Sequence, residues 1–134
     1  MTKTFKKAIS SLDDIFSFVA EFLERNGVAE AAAFALNFAI EEIFTNMVKY
    51  SVHNDRDVLM ELNLAGLKVE VSITEYDVDE FDITKAADVD TGLHAEERKI
   101  GGLGLHLTKQ VMDEVHYAYQ DRNSIITLIK YLEK

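Results

Sequence analysis

From Ala29 to Tyr50 apolar residues recur at the three- and four-residue spacing of a helix, and Phe34, Phe38, Ile40, Ile43, Phe44, Met47 and Val48 make that helix apolar over much of its circumference. A helix with so little polar surface must be covered, and a sheet laid against it is the simplest cover. Its polar exceptions are ordered. Glu42 and Asn46 stand one turn apart and project together, and Lys49 and Tyr50 continue near the same stripe.

The flanking segments supply such a sheet. A short strand is expected around Thr4 to Ala8, followed by a first helix in which Leu12, Ile15, Phe16, Val19, Phe22 and Leu23 share a face, with Ser10 or Ser11 as its cap and Asn26-Gly27 as its stop. Beyond the long helix, Asp57 to Leu64 and Leu67 to Thr74 alternate apolar and polar residues about Ala65-Gly66, the pattern of an antiparallel hairpin with one covered face. From about Glu75 to Lys99 periodicity fails, acids dominate and Gly92 is the only glycine, so this segment reads as a loop over something functional, a lid candidate. Leu103, Leu105, Leu107, Val111 and Met112 mark a third helix, and Val115 to Tyr119 with Ser124 to Leu132 form a closing hairpin that turns at Asp121-Arg122-Asn123. This order predicts an α+β fold with helices on one face of a mixed, mostly antiparallel sheet. With 134 residues, 48% of them hydrophobic, residues 1–134 suffice for one domain with its own core.

Composition narrows the functions. A net charge of -10 and an isoelectric point near 4.8 argue against direct nucleic-acid binding, which needs a basic stripe to displace counterions. The same charge suits a basic protein partner, or serves simply to keep the surface solvated. Without cysteine there is no disulfide, thiolate nucleophile or zinc-thiolate site. None of His53, His94, His106 and His116 pairs at ligand spacing, so no zinc or iron site is expected. The lysines near the N-terminus have no apolar run behind them and no window is expected to span a bilayer, which leads to the expectation of a cytoplasmic protein away from membranes.

Two segments can do chemistry. The Asn46 amide oxygen is a hard neutral donor that suits Mg²⁺, an ion that keeps several waters and takes other ligands from phosphates. Glu42 beside it can orient or deprotonate an attacking hydroxyl or water. Gly101-Gly102-Leu103-Gly104-Leu105 lets backbone amides approach a polyphosphate at the start of a helix, where unpaired N–H groups and the dipole favour an anion; it also reads as a plain flexible turn. No Gly-Lys-Ser/Thr follows it, and it follows a loop rather than a strand, so it is neither a P-loop nor a dinucleotide fingerprint.

Glu42-x-x-x-Asn46 followed by the late Gly-Leu-Gly-Leu-x-Leu resembles the N box and second glycine box of the GHKL ATPase superfamily, whose members include gyrase, histidine kinase and MutL relatives. Over nearly the whole chain the likeness is to the short stand-alone RsbW/SpoIIAB anti-sigma factor serine kinases. The resemblance implies a two-layer α/β sandwich of the Bergerat type that binds ATP with Mg²⁺. It implies Glu42 as catalytic base and Asn46 as magnesium ligand, with Gly102, Gly104 and Leu105 as phosphate-side backbone and Thr127 as the strand threonine near adenine. Lys49 stands where histidine-kinase N boxes place a lysine near the nucleotide, yet no separate dimerisation or phosphoacceptor region accompanies it here, so histidine autophosphorylation is not expected. Relatives carry Asp-x-Gly-x-Gly after the hairpin, the aspartate accepting from the adenine amino group. Counting back from Phe81-Asp82 puts Tyr76 or Asp77 at the adenine position and Val78 where a glycine is expected.

The implied activity is transfer of the ATP γ-phosphate to a serine of a STAS-type anti-anti-sigma protein, with a sigma factor as a further partner and, since relatives often dimerise, a homodimer as a possible state. The 75–99 loop would close over the γ-phosphate, with Arg98 and Lys99 in reach of it. The missing glycines support a second reading, in which the same fold sequesters a sigma factor or other regulator with little or no nucleotide.

Overall fold

The computed structural model describes residues 1–50, 56–80 and 102–132, apart from the side chains of Tyr50 and of residues 102–106. Its elements are β1 (Thr2–Phe5), a 3-10 turn (Ile9–Ser11), α1 (Leu12–Arg25), α2 (Glu30–Tyr50), β2 (Val58–Ala65), β3 (Lys68–Glu75), α3 (Gly102–Val111), β4 (Glu114–Gln120) and β5 (Asn123–Tyr131). The first strand stops at Phe5 rather than reaching Ala8, because the backbone turns sharply there: the Ala8 N–H donates to the Lys6 carbonyl at 2.8 Å. Ser11 holds the N-cap position of α1 without capping it. Its backbone is already helical (φ -79, ψ -11) and its hydroxyl donates back to the Lys6 carbonyl at 2.7 Å. The expected stop is as read. Asn26 Nδ2 donates to the Phe22 carbonyl at 2.8 Å, and Gly27 takes a left-handed φ of 61° that releases the chain toward α2.

The five strands lie in the order β1-β2-β3-β5-β4, and among the described residues all four pairings are antiparallel, where a mixed sheet was expected. Each hairpin closes on itself, and β5 returns antiparallel to the free edge of β3 after the α3 excursion. Asp121 and Arg122 both adopt positive φ (53° and 64°), giving the β4–β5 turn the primed geometry that matches strand twist.

Alternation along the strands fixes which face is covered. Val58, Met60 and Leu62, then Val69, Val71 and Ile73, then Ile126 and Leu128 join one buried cluster with Ile15, Val19 and Phe22 of α1 and Leu36, Ile40, Ile43, Phe44 and Met47 of α2. Each such side chain contributes roughly 1.5–3 kcal/mol by leaving water. The buried stripe of α2 is Ala32, Ala35, Leu36, Ala39, Ile40, Ile43, Phe44 and Met47, whereas Phe34 falls off it and is 71% exposed. By length and composition α2 is also apolar enough to cross a bilayer over Glu30–Lys49, contrary to the sequence-based expectation. Here that apolar surface forms the layer covering the sheet.

Candidate functional site

α2, which carries Glu42 and Asn46, packs against α3, which begins at Gly102. The first turn of α2 shares a cavity of about 490 Å³ with Asp113 and Lys130–Leu132, and Lys130 Nζ donates to the carbonyl of Val111, the last residue of α3, at 2.8 Å. The start of α2 and the end of α3 therefore lie near one another. Gly102 and Gly104 lie in the first turn of α3, where the N–H groups have no partner within the helix.

Along α2, Glu42 and Asn46 are half-buried and Lys49 is exposed. Asn46 Nδ2 donates to the Glu42 carbonyl at 2.7 Å, which holds the amide against its own helix and leaves its oxygen unengaged among the described residues. That oxygen is the donor a hard cation would use. Among the described residues no cluster of three or more His, Asp or Glu side chains could hold a metal by itself. The donor set therefore fits Mg²⁺, which would take Asn46 as protein ligand and fill its shell from phosphate and water.

At the end of the sheet expected to lie near the base, the helix-facing row runs through other residues than Asp77 and Thr127. The row through Val69, Val71 and Ile73 ends at Glu75, which is buried and faces the helices, and its register partner on β5 is the buried Ser124. Thr127, expected beside adenine, belongs to the opposite row. It pairs with Ser72 and their hydroxyls lie 3.4 Å apart on the face away from the helices.

Asp77 points away as well. Its carboxylate accepts from Arg122 Nε at 2.9 Å, and its backbone N–H donates to Asn123 Oδ1 at 3.3 Å. The hydrogen bond from the Arg122 guanidinium, reinforced by its charge, holds the Asp77 carboxyl below its ordinary value. Asp77 also has a left-handed φ of 54°, a conformation that favours glycine. Alternation past Ile73 therefore gives Glu75, and not Tyr76 or Asp77, the helix-facing position at the end of β3. Val78 is buried, its N–H donating to the Arg122 carbonyl at 2.9 Å and its carbonyl accepting from Tyr119 at 2.7 Å. The signal was available: strict alternation from Ile73 points to Glu75, and from Ile126 to Ser124. The Glu75 carboxylate is not open, since Lys7 Nζ lies 3.0 Å from its Oε2, the two side chains being 3% and 6% exposed.

Residues 81–101, with Phe81, Asp82, Arg98, Lys99, Gly101 and nearly all of the lid candidate, lie outside the described residues, as do His53 and the side chain of Leu105.

A model of the histidine kinase-like ATPase domain family matches residues 5–130. The serine-protein kinase RsbW of Listeria monocytogenes is 31% identical over 124 residues, covering 84% of this chain and 78% of that protein. Listeria innocua RsbW is 30% identical over the same lengths. Among solved structures, the RsbU and RsbW domains of a Mycobacterium tuberculosis protein superpose with a TM-score of 0.71 at 16% identity, over 100% of this chain and 32% of that one. A chain of the Pseudomonas aeruginosa SiaB–SiaC complex gives 0.65 at 16% identity, over 98% and 88%. At such identities the two structures establish a shared fold, and this chain spans only about a third of the mycobacterial protein.

Proposed function

This chain belongs to the histidine kinase-like ATPase domain family, and from that premise we propose that it is an ATP-dependent serine kinase acting on a small STAS-type anti-anti-sigma protein, with a sigma factor as its other partner. The observation that carries this reading is the packing of α3, whose first turn holds Gly102 and Gly104, against α2, on which Glu42 and Asn46 stand one turn apart. The 31% identity to a serine-protein kinase supports the choice of serine as acceptor.

In this reading the first-turn N–H groups of α3 bind the phosphates and Asn46 holds Mg²⁺ through its amide oxygen. When bound, the ion neutralises charge developing on the transferred group. Glu42 takes the proton of the acceptor serine as its Oγ forms a bond to the γ-phosphorus, and the bond from that phosphorus to the β–γ bridging oxygen breaks to leave ADP. Glu75 and Ser124, on the helix-facing row at the far end of the sheet, meet the base. Incubating the protein with γ-labelled ATP, Mg²⁺ and a STAS protein from the same host tests the proposal. Label should appear on the partner's serine and fall at least about 100-fold in Glu42→Ala. Undiminished transfer in that variant excludes Glu42 as the base.

A second reading has its own observation. With the acid of the box at Glu75, its two glycine positions fall on Asp77 and Asp79, both held by Arg122, as expected for a binding module that sequesters a regulator without nucleotide. A calorimetric titration flat at millimolar ATP with Mg²⁺ would leave only the module.

A further inference from the structure

We propose that Lys7 is an internal competitor for the nucleobase, holding the one buried carboxylate at the base end of the site so that docking of the segment before α1 and binding of nucleotide oppose each other. The inference rests on the nucleotide reading above and adds a regulation to it. Lys7 and Glu75 are 68 positions apart in sequence, yet Nζ and Oε2 meet at 3.0 Å. Glu75 is the only acid among the buried residues described. The Lys7 stem reaches it from the short link between β1 and the 3-10 turn. That link is held by the Ala8 N–H and the Ser11 hydroxyl, both of which donate to the Lys6 carbonyl.

A charge-assisted hydrogen bond from an ammonium is roughly twice as strong as one from a neutral amine. The exocyclic amino group of a purine therefore cannot displace Lys7 from that oxygen without help from the phosphate end of the ligand. When it does, Lys7 withdraws and the link carrying it loosens. By linkage the effect is reciprocal: whatever holds that link in place weakens nucleotide binding, and nucleotide releases the link.

Calorimetric titration with Mg²⁺-ATP, run well below the melting midpoint, compares wild type with Lys7→Met, which keeps an apolar stem and removes the charge. The expected result is a dissociation constant at least tenfold lower in Lys7→Met, a gain that disappears in Lys7→Met/Glu75→Leu. Equal or weaker binding by a folded Lys7→Met overturns the proposal while leaving ATP binding standing. Absence of binding by both proteins overturns the nucleotide reading together with it. Hydrogen exchange on the wild type decides the matter should Lys7→Met fail to fold. Saturating Mg²⁺-ATP should speed exchange of the amides of residues 6–11, and unchanged or slower exchange refutes the competition.

Discussion

Cutting the Lys7–Glu75 pair from one side should cost more stability than most single substitutions in a domain of this size. Both side chains are almost wholly removed from water. Deleting either partner leaves the other charge buried and uncompensated, at a cost of about 3–5 kcal/mol, whereas replacing both with apolar residues of similar volume is often neutral. Unfolding a chain of 134 residues carries an entropy of about 0.28 kcal/mol per degree, at roughly 2.1 cal/mol/K per residue. Lys7→Met should therefore lower Tm by about 11–18 °C, Glu75→Leu should do much the same, and the double variant should recover most of the loss. Thermal and urea denaturation followed by far-UV circular dichroism on all four proteins measures the coupling. A loss below about 1 kcal/mol in Lys7→Met would mean that the ammonium sits in water. The competition with a nucleobase would then have no physical basis.

Other outcomes follow from the alternation of the strands and the packing of the helices. Thr127→Val, on the face away from the helices, should leave ATP affinity unchanged, while Ser124→Ala, facing them, should weaken it about fivefold, the worth of one hydrogen bond; the reverse order in a titration would invert the face assignment. Asn46→Ala should abolish the magnesium dependence of ATP binding while leaving the circular dichroism spectrum intact. Phe44, wholly buried, should cost about 3–5 kcal/mol on substitution by Ala in urea denaturation. The Asp77 carboxyl titrates low because Arg122 donates to it, so the pair stabilises the fold above the ordinary carboxylate range, and that contribution is lost as pH falls through the lowered value. NMR titration should place the Asp77 midpoint higher in Arg122→Ala, and an unmoved midpoint would remove Arg122 as the cause.

Much of the architecture was legible because period and chemistry agreed. The β2–β3 pair alternates cleanly on either side of Gly66, α2 keeps helical spacing over its whole length, and the β4–β5 turn carries residues that tolerate positive φ. What was misread had physical causes. An almost wholly apolar helix does not say which stripe faces the core, so Phe34 looked no different from Ile40 although one is open to solvent and the other buried. Lys6 and Lys7 gave no alternation to mark where β1 ends, and the turn that ends it is made by backbone hydrogen bonds.

At the site, the helix half was readable because Glu42 and Asn46 are locked together by the helical repeat. On the sheet half, Asp77 came from counting back from Phe81-Asp82 and Thr127 from the resemblance, whereas alternation from Ile73 and Ile126 marks Glu75 and Ser124 as the residues facing the helices. The pairing of Lys7 with Glu75 left no trace in the sequence, since nothing local relates two charges that distant along the chain.

The lysine at position 130 gives α3 an unusual mooring. It stands in the row of Ile126 and Leu128, directly across from Val69, yet sends its ammonium to the closing carbonyl of α3, with Asp113 Oδ2 at 3.8 Å. A cation there suits the negative pole of the helix. The rod is only about 15 Å long, so fixing its stern fixes the heading of its bow. A change made at the floor of the sheet, remote from any phosphate, would then register as a loss of aim at the opposite tip.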